Sequence, residues 1–322
     1  MNNSYKTPPE KRPAAQESLA LPSKNPIPIS DHRIAALVIH YIDPAMTMAC
    51  LNSLEEASTI VVWDNTEDGG ISLAKLRKAL PEEVSSRCIF ATQGVNLGFA
   101  RGMNSAQREL LRHCNPRCIV AVNNDAVISQ GGLGKLADAL SDPKTALAGA
   151  NVQTKGQSTG RLYYNHYTGL ITANRLPGSF PYLCGCCLMW RAADYPTGPF
   201  DETFFMYGED TELSWRTQKM GKRISLIENA IVSHTGGSSS DPHGQFYEMQ
   251  TTCMHYLLAR RLGFWKFKTP LQLPIITLFL LMRAIVRSLR HQSMTPIICL
   301  AKTLLTRGSS PHIAKERQPT DQ

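Results

Sequence analysis

Two adjacent carboxylates, Glu209 and Asp210, sit within the stretch Phe200–Arg216, which reads FDETFFMYGEDTELSWR. Phe200, Phe204, Phe205 and Tyr207 lead into Gly208, and the residues that follow have helical character. At a helix start, free backbone N–H groups and the helix dipole keep a carboxylate ionised. Beside an aromatic wall, such a group can take a proton from a substrate hydroxyl. The same placement also describes a helix cap, and the stretch leaves both readings open.

Other polar groups fall at the ends of apolar runs. Asp64-Asn65 follows one run, and a carboxylate there can accept the N3–H of uracil or thymine; alone, the pair is also an ordinary turn signal. Asn96-Leu97-Gly98-Phe99-Ala100-Arg101-Gly102-Met103-Asn104 has two glycines that let backbone approach a ligand, and it opens a helix whose N-terminus can face a diphosphate. Arg101 adds a forked donor for phosphate or ribose. Asn123-Asn124-Asp125 offers one carboxylate and amide oxygens to a hard cation, and His234, beside Gly236-Gly237, could add a nitrogen. Cys114 and Cys118 near His113, and Cys184 with Cys186 and Cys187, lack the paired spacing of a zinc site.

These groups need a scaffold that brings them to one edge. Ile34–Ile39, Thr59–Trp63, Cys88–Ala91, Cys118–Val122 and Ala146–Ala150 read as strands buried on both faces. Helical patterns at Pro44–Ala57, Ile71–Leu80, Phe99–Cys114 and Leu133–Leu140 alternate with them. Alternation at this spacing predicts an α/β fold with a parallel, doubly wound sheet. Ligands bind beyond the carboxyl ends of such strands, where His40-Tyr41, Asp64-Asn65, Gln93–Asn96 and Asn123–Asp125 all fall. Asn151–Tyr182 reads as a long loop with little strand character. Short strands at Arg223–Ile227 and Ala230–Ser233 precede a Gly/Ser-rich loop, and Gln245–Arg261 reads as a helix.

The net charge of +8 is unevenly placed. Residues 34–259 carry 18 basic and 21 acidic side chains, whereas residues 260–317 carry eleven basic ones against Glu316 alone. This argues against a nucleic-acid partner and for a membrane surface at the C-terminus. The apolar run Leu273–Met282 is short of the roughly twenty residues that span a bilayer. With Arg283, Arg287 and Arg290 following at helical spacing, the expectation is interfacial amphipathic helices with arginines at the headgroups; packing on the protein's own core is the other reading. Nine cysteines without framework spacing, and no apolar run after Met1, suggest a cytoplasmic setting. The proline-rich residues 1–32 and the tail 308–322 read as disordered.

Taken together, His40-Tyr41, Asp64-Asn65, Asn96–Asn104, Asn123–Asp125, Phe200–Arg216 and His234 resemble a family 2 glycosyltransferase, closest in pattern to the rhamnosyltransferase-like bacterial members. The resemblance covers about residues 33–262 and implies a GT-A fold: a mostly parallel central sheet flanked by helices, here followed by amphipathic helices at 263–307. It implies base contacts from Tyr41 and Asp64, with His40 and Asn65 beside them among the cofactor-binding residues. It further implies nucleotide-sugar contacts from Asn96, Gly98, Arg101, Asn104 and Asn124, and Mg2+ or Mn2+ held by Asp125 and His234. Asp210 matches the catalytic base, with Glu209 beside it, and Cys184-Gly185-Cys186 matches a segment facing the acceptor.

The activity implied is inverting transfer from a UDP- or dTDP-sugar, with rhamnose favoured, to a lipid-linked or saccharide acceptor at the inner face of the cell membrane. Two departures stand out. Asn123 replaces the first Asp of the family's metal motif, and Arg261 falls where a Tyr-Tyr-x-x-Arg-Asn-like signature has Asn. A sugar nucleotidyltransferase would carry a Gly-rich, Lys-containing loop after the first strand, and Val38–Met46 has neither residue. A non-catalytic scaffold that kept the fold is the remaining alternative.

Overall fold

The computed structural model describes residues 19–20, 34–154, 156–234, 244–262 and 269–306. The lead-in and tail expected to be disordered lie outside this range, apart from Leu19–Ala20. Residues 235–243 of the Gly/Ser-rich loop also lie outside it.

The first half alternates as the apolar runs require. β1 (Leu19–Ala20) is a two-residue edge strand. There follow β2 (Ile34–His40), α1 (Pro44–Asn52), β3 (Thr59–Asp64), α2 (Ile71–Ala79), α3 (Glu82–Ser85) and β4 (Cys88–Thr92). Next come α4 (Gly98–His113), β5 (Cys118–Val122), β6 (Ala126–Ile128), α5 (Gly132–Ala139) and β7 (Thr145–Thr154). All residues of β2, β3 and β5 are buried, because helices cover both faces of the sheet. α1 ends five residues short of the expected Ala57. Its N-terminus is capped by Asp43, which accepts the Ala45 and Met46 N–H groups.

The second half departs from the expected loop. β8 (Gln157–Ser158) pairs with β7, while β9 (Arg161–Asn165), β10 (Ile171–Thr172) and β11 (Ser179–Leu183) form a separate three-stranded antiparallel sheet. β12 (Cys187–Arg191) then inserts antiparallel between β5 and β7. α6 (Glu209–Lys219) leads into β13 (Arg223–His234), one bulged strand where two were expected.

The large sheet runs β1-β4-β3-β2-β5-β12-β7-β13-β6. α1, α2 and α5 cover one apolar face, while α4 and α6 cover the other. α7 (Gln245–Arg261) packs on the small sheet through Met254, Leu258 and Tyr164. α8 (Thr269–His291) and α9 (Thr295–Leu305) pack on α7 around Tyr256, Ala259, Ile276, Leu280, Ala284 and Leu300. Each fully buried Leu or Ile contributes about 2 kcal/mol relative to exposure, so these clusters fix the helices in place.

Candidate active site

α6 begins at Glu209, and Gly208 holds the cap position at φ +91°. Asp210 is therefore the second helical residue rather than the cap. Its Oδ1 accepts the Thr211 N–H at 2.6 Å and the Thr211 hydroxyl at 3.2 Å, and its Oδ2 accepts the Gly185 N–H at 2.9 Å. Burial pushes the Asp210 carboxyl up, and these donors pull it back. Glu209 Oε2 is buried without a hydrogen-bond partner, and burial, then the Asp210 charge, push this carboxyl up to about 8. When two carboxylates share a site, the one better supplied with donors ionises first. Asp210 is the anionic member, and Glu209 keeps its proton at neutral pH.

The expected aromatic wall is not a wall. Phe200 lies in the core, edge-on to Phe99 at 5.3 Å and Trp190 at 5.9 Å. Phe204 is buried under α7, and Phe205 meets Phe246 edge-on. These rings anchor the stretch that leads to the carboxylates. Tyr207, at φ +68°, carries a backbone conformation that a bulky residue rarely adopts. Arg261 ties down the same stretch through Asp201 at 2.9 Å, so the departure at that position has a bracing role.

Cys184 and Tyr182 border the pair. Burial pushes the Cys184 thiol up to about 12, and the Asp210 charge adds to the shift. Tyr182 is raised by burial and then by Asp210.

Asp125 and His234 meet because β13 pairs with β6 in a register that sets His234 opposite Ala126. His234 Nε2 lies 3.1 Å from Asp125 Oδ1, and Thr154 Oγ1 lies 3.4 Å from His234 Nδ1. Two adjacent ligands of one cation, each bonded at about 2.1–2.2 Å, stand about 3 Å apart. The Asn123 side-chain oxygen is buried without a partner, a free acceptor at the same strand end. This donor set fits a hard divalent cation that draws its other ligands from diphosphate and water. Among the described residues no three His, Cys, Asp or Glu side chains converge as a metal cage. All nine thiols are unpaired with one another.

Along the strand-end edge where nucleotide contacts were expected, the residues divide into two sets. Tyr41 is 42% exposed at the end of β2. Asp64 ends β3, with Oδ1 accepting the Thr66 N–H at 2.8 Å; burial raises its carboxyl and the Thr66 bonds oppose that. Arg101 lies 3.7 Å from Glu202 on the surface, and Asn124 donates to Thr47 Oγ1 at 3.2 Å.

His40, Asn65 and Asn104 have their polar atoms taken up internally. The His40 ring nitrogens sit 2.8 Å from Thr47 Oγ1 and 3.1 Å from Ser72 Oγ. Asn65 bridges to Gly98 O and Leu97 N, and Asn104 bonds both the Phe200 N–H and Phe200 O. Asn96 Oδ1 accepts the Gly98 N–H at 2.9 Å, closing the turn into α4.

The glycines of this stretch approach protein. A Cβ on Gly98, at φ +73°, would lie 2.3 Å from Phe205 O, and one on Gly102 would lie 3.0 Å from Ile39. Thr211, Thr66 and Thr47 were not picked out from the sequence, and Gly185 was singled out only within Cys184-Gly185-Cys186. Only Thr66 carries a local signal, the Asp-x-Thr turn after a strand.

No family model matches the chain. Over 108 residues it is 32% identical to the N-acetylglucosaminyl-diphospho-decaprenol L-rhamnosyltransferase of Mycobacterium tuberculosis, in strains CDC 1551 and H37Rv. That match spans 32% of this chain and 35% of the relative, about a third of its length. Among solved structures, the chain resembles the mannosyltransferase PcManGT from Pyrobaculum calidifontis, solved with GDP-Man and Mn2+. The TM-score is 0.51 at 13% identity, covering 88% of this chain and 91% of that one. It also resembles GalNAc-T7 solved with UDP, GalNAc and Mn2+, at TM-score 0.53 and 10% identity, covering 80% of this chain and 57% of that one. The chain has the GT-A fold, and its resemblance to the family 2 glycosyltransferases is upheld at that level.

Proposed function

We propose that the chain is an inverting, divalent-cation-dependent glycosyltransferase. It moves a sugar, with rhamnose favoured, from a UDP- or dTDP-sugar to a hydroxyl of a lipid-linked or saccharide acceptor in cell-surface polysaccharide synthesis. The observation that carries this reading is the Asp210 carboxylate, held by the Gly185 and Thr211 N–H groups in the first turn of α6. The rhamnosyltransferase relative supports rhamnose as the sugar and a lipid-linked acceptor, and the reaction would then run at the inner face of the cell membrane. Mn2+ in both solved neighbours supports the cation.

Asp210 Oδ2 has one donor and a lone pair to spare. It accepts the acceptor's hydroxyl proton as that oxygen bonds to the anomeric carbon and the bond from that carbon to the diphosphate breaks. Asp125 and His234 are the residues that would hold the cation, with Asn123 Oδ1 at hand, and a bound cation would neutralise the departing diphosphate. Tyr41 and Asp64 face the base, and Arg101 faces the phosphates or ribose. His40, Asn65, Asn96, Gly98 and Asn104 shape that edge from beneath, and Asn124 closes it through Thr47.

The test is nucleoside diphosphate release from a panel of UDP- and dTDP-sugars with Mn2+. Release should stop with EDTA and return with Mn2+ or Mg2+. Full activity in EDTA would remove Asp125 and His234 from the ligand role, and no release from any donor would sink the reading.

A further inference from the structure

α8 is apolar on two opposite sides. Its inner side, Ile276, Leu280 and Ala284, is buried against α7 and α9. Its outer side presents Ile275, Leu278, Met282, Ile285, Val286 and Leu289, with Leu278 57%, Val286 62% and Leu289 74% exposed. At about 100° per residue, these six fall within an arc of about 100° opposite the inner face. Leu304 and Leu305 of α9 are exposed as well. Six exposed apolar side chains on one arc of a single helix are far more than scattered surface leucines and mark a surface that meets something.

Charge selects the occupant. From residue 269 to 306 the chain has four basic residues, Arg283, Arg287, Arg290 and Lys302, and no acidic one. Arg283 and Arg287 turn inward to the buried Glu248 of α7, contrary to the expectation that they reach headgroups. Arg290 and Lys302 are exposed. A second copy of the chain would set cation against cation here, whereas anionic headgroups complement the rim. No helix among the described residues is long and apolar enough to cross a membrane, so α8 would lie in the interface plane.

We infer that the outer face of α8 docks on the surface of an anionic phospholipid bilayer. α7 separates this face from the site. Its Tyr247 meets Tyr207 at 5.6 Å, and its Met254 packs on Gly208. Two helix layers, α8 itself and α7, about 10 Å each, thus stand between the bilayer face and the loop entering Glu209-Asp210. Presentation of a lipid-linked acceptor to Asp210 rests on the glycosyltransferase reading; docking itself does not.

Full-length protein mixed with phosphatidylglycerol–phosphatidylcholine vesicles should cosediment with them, and less so with phosphatidylcholine alone. The triple variant Leu278→Glu, Ile285→Glu, Leu289→Glu should lose at least about tenfold in bound fraction with an unchanged melting temperature, because all three side chains are exposed in the free protein. Arg290→Glu with Lys302→Glu should remove the preference for the anionic lipid. A wild-type protein that ignores vesicles, or a triple variant that binds them equally well, overturns the inference. So does a dimer, detected by light scattering, that the triple variant dissolves while vesicle binding is absent. Nucleoside diphosphate release in vesicle-free buffer reports on the reaction separately, so either reading can fail without the other.

Discussion

Three donor contacts reach Asp210, while Glu209 Oε2 receives none, so neighbours in sequence differ in charge. Asp210→Asn is expected to cut transfer by about a thousandfold or more, the scale of losing a positioned base, with donor binding retained by thermal shift. Glu209→Gln, which mimics the neutral acid, should stay within about tenfold of wild type at pH 7; equal losses in both variants would contradict the division of roles.

The pH dependence of stability follows from the same difference. With the Glu209 carboxyl raised from 4.5 to about 8, the folded protein holds a proton that the unfolded chain releases within that window. Stability from this group is complete below the unfolded value and is lost as pH rises through the folded one. The melting temperature of Glu209→Gln should therefore match wild type near pH 5 and exceed it by a few degrees near pH 9; parallel melting curves across that range would show the assignment to be wrong.

At the level of elements, the candidate site is a junction between α4, α6 and α7. Gly98 lets the start of α4 meet Phe205, whose carbonyl also accepts the Phe99 N–H at 2.7 Å. Gly98→Ala combines a positive φ with a 2.3 Å contact to backbone, and should cost about 2 kcal/mol or more, read by urea denaturation. On the other side, Glu248 of α7 receives both Arg283 and Arg287 of α8, and Arg287 also lies over Tyr247. Glu248→Ala would strand two cations and is expected to destabilise by about 3 kcal/mol; a change below about 1 kcal/mol would mean that water replaces the carboxylate.

The small sheet escaped sequence reading because β9, β10 and β11 are short and their pairing is mostly with each other. Pro181 is tolerated within β11 because that strand pairs only with β9.

For the whole molecule, the C-terminal helices belong to the folded body as well as to the proposed membrane face. Ending the chain after Leu262 would expose Tyr256 and Ala259, which pack on α8 and α9. The shortened protein should aggregate or melt several degrees lower instead of simply becoming free of membranes. Full solubility at an unchanged melting temperature would show the helices to be an independent appendage.

The sequence by itself determined the alternating half. Strands buried on both faces must be apolar throughout, and the polar residues that end them must meet at one edge. Asp64 and Asp125 were singled out on that ground, whereas Asp210, in the first turn of α6, and His234, at the end of β13, were singled out on other signals. Only the tertiary structure decided which polar groups remain free. His40, Asn65 and Asn104 are spent on internal hydrogen bonds, the glycines of Asn96–Asn104 make room for Phe205 and Ile39, and Arg283 and Arg287 face Glu248. The physical reason is that each side chain's partner lies on a different element, in most cases one remote in sequence. Periodicity reports which face is buried, whereas register and packing choose what that face meets.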